Sequence, residues 1–168
     1  MKPFKRMLFI LLAVVLLVSI LWMVYAAMQA PVLAFGAQLP SLIIKTCDGV
    51  DTLRVAIGQP GLLILFSKHC SHCLYELDLL EKHFAEFAGL KLYLITLDKD
   101  FSLCEEPLHW LNLVSSEDVT WGWADRNSFK SAFGAAVSPS LFAFDGQGRL
   151  KSKIRGEVKI EKILASWQ

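Results

Sequence analysis

The most extended feature of the hydrophobic pattern is an apolar run from Met7 to Ala27, interrupted only by Ser19. About 20 apolar residues suffice for a helix to cross a hydrocarbon core, so the pattern predicts a membrane anchor over 1–28. Pro31, Gly36 and Pro40 then break regular structure, and 29–40 reads as a linker. Leu42–Thr46 and Thr52–Ile57 are expected strands around the turn Asp48-Gly49, and Gly58-Gln59-Pro60-Gly61 is a second turn. Leu62–Phe66 is continuously apolar, the signature of a strand buried on both faces. The spacing then changes to three and four. Leu74, Leu77, Leu80, Phe84 and Phe87 form one helical stripe, which Gly89 can end.

Leu90–Leu97 predicts the next strand, Asp98–Trp110 a mixed loop or short helix, and Val119–Ala124 a further strand. Asn127–Phe133 reads as a short helix stopped by Gly134. Ser140–Phe144 and Arg149–Arg155 flank the turn Asp145–Gly148 as a hairpin, and Lys159–Trp167 is a closing amphipathic helix. Alternating strands and helices argue for an α/β sheet with helices on both faces. A right-handed crossover makes Leu62–Phe66 and Leu90–Leu97 parallel neighbours.

Charge sharpens the reading of the first segment. Lys2, Lys5 and Arg6 precede the apolar run, and no Lys or Arg follows it closely, which predicts a cytoplasmic N-terminus. Everything after about Ala30 then lies outside the cytoplasm. Trp22 and Tyr25 suit the outer interface. A cleaved signal peptide is the rival, with small residues at Ala26 and Ala27. Signal cores are usually only about 7–15 residues, so retention as an anchor in the cytoplasmic membrane is expected. The net charge is +1 for the whole chain. Without the three basic residues at the start, 14 cations face 16 anions. That balance gives no support to nucleic-acid binding.

The chemistry concentrates in Cys70-Ser71-His72-Cys73, between the buried strand and the helical stripe. A C-x-x-C at that junction is a redox signature. Cys70 is placed at the helix N-terminus, where free N–H groups and the helix dipole stabilise a thiolate. Cys73 follows one turn later, in reach of Cys70. Cys70 is the expected attacking thiolate and Cys73 the resolving one. Two other readings stand beside this one. A purely structural bridge would close a loop too short to be an effective staple. Zinc lacks a second ligand pair, whereas Cu(I) is served by two thiolates with His69, His72 or His109. The alternative function is therefore copper binding and delivery on the same scaffold.

These residues resemble the thioredoxin superfamily, and more narrowly its membrane-anchored TlpA/ResA/MauD-like thiol–disulfide oxidoreductases. The resemblance covers roughly Ala34 to the C-terminus. It rests on the strand Leu62–Phe66 running into Cys70-Ser71-His72-Cys73, on Glu76, on Val137-Ser138-Pro139-Ser140-Leu141-Phe142, and on the Asp145–Gly148 turn. Gly61–Ser67 most resembles the MauD-like accessory proteins of methylamine utilisation.

The resemblance implies a thioredoxin-like fold over 41–168, with a central mixed sheet flanked by helices and an N-terminal β-hairpin. It implies a cis Pro139 beside the cysteines, with Ser138 offering backbone groups to an extended substrate. It also implies that Glu76 accepts the proton of Cys73, its i, i+3 helical neighbour. A solvated Glu76 near Lys82 is the alternative. Two departures are present. His69 stands where an aromatic residue is common, and Ile64 stands where classical thioredoxins carry a buried acid.

The implied function is thiol–disulfide exchange on exported, cysteine-containing clients, in cytochrome c or methylamine-dehydrogenase-type maturation. The redox-active Cys70–Cys73 disulfide is expected to be the only cofactor. A membrane electron-transfer partner resets it. TlpA/ResA-like members are reductants, whereas His72 before the second cysteine is similar to oxidising members, since an imidazolium favours the Cys70 thiolate. Cys47 and Cys104 either form a structural disulfide, as export favours, or leave Cys47 as a free core thiol.

Overall fold

The computed structural model describes residues 3–28, 33–54, 58–101, 104 and 109–166. It divides into two units, Met1–Pro31 and Val32–Gln168. In the first, α1 (Pro3–Met28) contains the apolar stretch Lys5–Ala26, 22 residues that are long and apolar enough to cross a membrane. At 1.5 Å per residue this stretch reaches about 33 Å, against a hydrocarbon core of about 30 Å.

The second unit is built on one seven-stranded mixed sheet. Its strands are β1 (Leu42–Thr46), β2 (Gly49–Leu53), β3 (Gly61–Phe66), β4 (Lys91–Thr96), β5 (Val119–Ala124), β6 (Ser140–Phe144) and β7 (Leu150–Arg155). The order across the sheet is β2-β1-β5-β4-β3-β6-β7. β3, β4 and β5 run parallel, while β6 lies antiparallel to β3 and β1 antiparallel to β5.

Alternation along β3 divides the core in two. Leu62, Ile64 and Phe66 point to one face, against α2 (Ser71–Lys82), α3 (Leu111–Ser115) and α5 (Ile160–Ala165). Leu63 and Leu65 point to the other, against Phe129 and Phe133 of α4 (Arg126–Phe133) and against Leu33. Asp125 caps α4, its side chain accepting from the N–H groups of Asn127 and Ser128. Gly134 ends it in the left-handed conformation, φ +83°.

Several expectations shift. Within the linker expected over 29–40, the described residues from Leu33 onward are not loose. Leu33 is buried, and Gly36 and Leu39 donate backbone hydrogen bonds to Leu150 and Gly148, so this stretch docks on the β6–β7 hairpin. The first hairpin turns one residue earlier than expected, at Cys47-Asp48, because Thr46 already pairs with Gly49. Gly49 enters β2 at φ +132°, a backbone shape that L side chains rarely adopt. β2 accordingly ends at Leu53, and Val55–Ile57 of the expected strand lie outside the described residues. The helix expected through Phe87 leaves α geometry at His83 and finishes as one 3₁₀ turn, Phe84–Phe87. α3 has no local signal. Its N-terminal N–H groups on Asn112 and Leu113 are capped by the Glu81 carboxylate of α2, 31 and 32 residues away.

Candidate active site

β3 delivers the chain to the cysteines through Ser67-Lys68-His69, and Asp98 fixes that approach. Its carboxylate accepts from the Ser67 hydroxyl and the Lys68 backbone N–H, both at 2.8 Å. Asp98 lies just beyond β4, the parallel neighbour of β3, so both ends of this clamp come off one side of the sheet. Asp100 adds ion pairs to Lys68 (3.2 Å) and His69 (3.3 Å).

Cys70 is the N-cap of α2, with extended backbone at φ −110° and ψ 108°. Its Sγ accepts the backbone N–H of Cys73 at 3.3 Å. The sulfur thus occupies the place a Ser or Asp oxygen fills in ordinary caps, facing the free N–H groups of the first turn. Cys70 is half-buried, whereas Cys73 is 1% exposed within the core that contains Leu77 and Ile64. The Cys73 thiol is pushed up to about 12. Burial is the main cause, followed by the bond with Cys70, and the charges of Cys70 and Glu76 act the same way.

Glu76 points inward at 3% exposure rather than lying solvated near Lys82. One carboxylate oxygen accepts the backbone N–H of Val158 at 2.8 Å. Burial pushes its carboxyl up to about 7, against the lowering effect of that hydrogen bond. A buried thiol thus has a buried carboxyl one helical turn away, poised near neutrality, a pairing suited to proton transfer. His72 is exposed and its Nδ1 pairs with Glu157, a residue the sequence reading did not single out and for which no local motif exists.

The Ser138–Pro139 bond is cis. Ser140 pairs with Leu65, so Pro139 lies at the end of β6 beside the end of β3 that leads to Cys70. The backbone oxygen of Pro139 accepts from Gly156 N at 2.9 Å. The structure therefore brings Cys70, Cys73, Glu76 and His72 onto one helix start, with Ser138 and Pro139 at the same end of the sheet. Cys47 and Cys104 are bonded to each other, Cα atoms 5.7 Å apart, joining the β1–β2 turn to the loop after β4. The cavity of about 440 Å³ beside that bond is lined by Lys45, Lys99, Phe101, Trp121 and Trp123 and by neither Cys70 nor Cys73.

Among the described residues, no group of three or more His, Cys, Asp or Glu side chains is arranged to hold a metal ion. The histidines named for Cu(I) each face a carboxylate instead: His69 faces Asp100, His72 faces Glu157 and His109 faces Asp78.

No protein-family model matches this sequence, and no curated protein matches it either. Solved structures do. A peroxiredoxin-like protein from Aquifex aeolicus superimposes with a TM-score of 0.61 at 16% identity, over 80% of this chain and 86% of that one. A protein described as a putative thiol:disulfide interchange protein DsbE, from Chlorobium tepidum, gives 0.59 at 20% identity, over 80% and 98%. The exposed lipoprotein thioredoxin of Streptococcus pneumoniae gives 0.56 at 16%, over 76% and 97%. At these identities the likeness speaks for architecture: this chain carries a thioredoxin-like domain, a mixed α/β sheet flanked by helices, preceded in sequence by a helix long and apolar enough to span a membrane.

Proposed function

We propose that the protein is a thiol–disulfide oxidoreductase that acts on exported, cysteine-containing proteins through Cys70 and Cys73. The observation that carries this reading is the asymmetry of the pair. Cys70 is accessible at a helix N-terminus, while Cys73 is buried with its thiol held up to about 12 and Glu76 close behind it. In the reducing direction the Cys70 thiolate attacks a client disulfide. One client sulfur leaves as thiolate and a mixed disulfide forms. Cys73 passes its proton to Glu76 and attacks the Cys70 sulfur. The Cys70–Cys73 disulfide closes and the second client sulfur leaves. Two electrons have moved to the client, and a membrane electron-transfer partner supplies two more to reduce the Cys70–Cys73 disulfide again. The oxidising direction reverses these steps. No cofactor beyond the cysteine pair takes part. The TlpA/ResA/MauD-like resemblance supports an apocytochrome or a methylamine-dehydrogenase-type subunit as client.

Trapping tests this reading. Cys73→Ser is expected to accumulate a mixed disulfide between Cys70 and the client, because no resolving thiolate remains, and Cys70→Ser is expected to trap nothing. Equal trapping by both variants on non-reducing gels would contradict the assignment.

The cationic start and apolar helix support a periplasmic position for the domain, tethered to the cytoplasmic membrane. Protease added to spheroplasts is then expected to remove the domain and leave an anchor fragment. A protected domain would overturn that placement.

A further inference from the structure

The three residues that follow β7 each hold a different part of the site. Gly156 N–H bonds the backbone oxygen of Pro139 at 2.9 Å. The Glu157 carboxylate pairs with the His72 imidazole. Val158 N–H bonds the Glu76 carboxylate at 2.8 Å, and the Val158 side chain is itself buried in the core that holds Cys73. Gly156 makes the required turn at φ +85°, a conformation suited to glycine. The last two contacts join the segment after β7 to the first two turns of α2, across 85 and 82 residues of sequence.

We propose that Glu157 is a positioning residue of this site. By holding His72 while the next backbone N–H holds Glu76, it places one anion and one cation beside the carboxyl that receives the Cys73 proton. The inference rests on the thiol-exchange reading above and assigns Glu157 the control of its resolving step. Its effect passes through His72, which it holds, and through Glu76, whose charge it opposes.

Glu76 feels Glu157 as a like charge that raises its carboxyl and His72 as an opposite charge that lowers it. On its own helix Cys73 feels the Glu76 charge, Asp78 and Glu81 turn towards Trp110 and the start of α3, and Tyr75 and Lys82 are exposed. α3 and α5 also pack on α2. α3 has no titratable side chain, and α5 carries Glu161 and Lys162, both exposed. Glu157 and His72 are thus an opposed pair acting on one proton acceptor. Both are partly exposed, with side-chain exposures of 45% and 66%, so solvent screens each effect to a modest size.

The experiment follows the resolving step of the full chain in detergent, using an aromatic disulfide reagent whose thiolate absorbs visible light. Attack by Cys70 releases one aromatic thiolate and leaves a mixed disulfide. Cys73 then gives its proton to Glu76, attacks Cys70 and releases the second thiolate. The second phase is expected to speed up with pH through the range where Glu76 ionises, about 7. His72→Gln removes the cation and is expected to raise that midpoint by about half a pH unit. Adding Glu157→Gln in the same background removes the anion and is expected to return the midpoint towards the parent value. A midpoint that stays put when Glu157→Gln joins His72→Gln would overturn the proposal. A uniformly slower second phase without any change of midpoint would do the same, since a purely structural role predicts it. A second phase that survives Cys73→Ser would instead remove the thiol-exchange reading beneath it.

Discussion

Replacing Glu76 with glutamine is expected to slow the second phase of thiol exchange about a hundredfold at neutral pH, the low end of what a positioned general base contributes. It is also expected to change how stability depends on pH. The carboxyl rises from an ordinary 4.5 to about 7 on folding, because burial disfavours its charged form. An acid raised in this way gives its full stabilisation below the unfolded value and loses it as pH climbs through the folded one. At about 1.4 kcal/mol per unit, the parent should lose up to about 3 kcal/mol between pH 4.5 and 7 that the non-titrating variant keeps. Denaturant melts across that window read the difference directly. Glutamine retains an oxygen to accept the Val158 N–H, so the local fold has no reason to open. Parallel pH profiles for parent and variant would show that Glu76 does not titrate in this range. An unaltered second phase would show that it does not take the Cys73 proton.

The other large effect is expected on the opposite face of the sheet. α4 is only eight residues long, too short to hold itself together in water. Its order derives from Phe129 and Phe133, which are 0% and 1% exposed. Their rings stack at 4.5 Å, and both meet Phe142 of β6, at 6.3 and 5.0 Å. Phe129→Ala is expected to cost about 3–5 kcal/mol, the range for removing a buried aromatic side chain. A domain of this size is typically stable by about 5–15 kcal/mol, so a large part of the reserve would go. A loss below about 1 kcal/mol in urea melts would mean that this face is not the packed core described. Because the α4 face lies across the sheet from Glu76, the pH midpoint of thiol exchange is expected to stay in place.

Features whose partners are close in sequence were the ones legible beforehand. β3 announces itself as Leu62–Phe66 with no polar interruption, and the C-x-x-C after it needs only a strand and the following turn. The Asp145–Gly148 hairpin is equally local. Glu76 was visible by spacing from Cys73, but its inward orientation was not, since the residue that accommodates it is Val158. Glu157 was invisible for the same reason: a glutamate after a glycine has no meaning until β7 brings it to His72. α3 is a five-residue helix whose cap comes from another helix. Leu33 to Leu39 reads as a linker because its partners, Gly148 and Leu150, lie more than a hundred positions away. Side chains such as Lys153, which donates to the Leu33 backbone oxygen, complete that docking and leave no mark in the local pattern.

The bond between Cys47 and Cys104 has a consequence for the biogenesis of the protein itself. The order of cysteines along the chain is 47, 70, 73 and 104, so Cys70 and Cys73 are nested inside the ring that this bond closes. Four thiols admit three complete pairings. Only one of the three contains a Cys70–Cys73 bond, and it is also the one that contains Cys47–Cys104. Contact across a short loop costs less chain entropy than contact across a ring spanning 57 positions. If the local pair closes first, both of its sulfurs are masked while the chain is still unfolded, and the partner left for Cys47 is the native one. The pair proposed to exchange disulfides with other proteins would then serve first as a temporary protecting group in the maturation of its own chain.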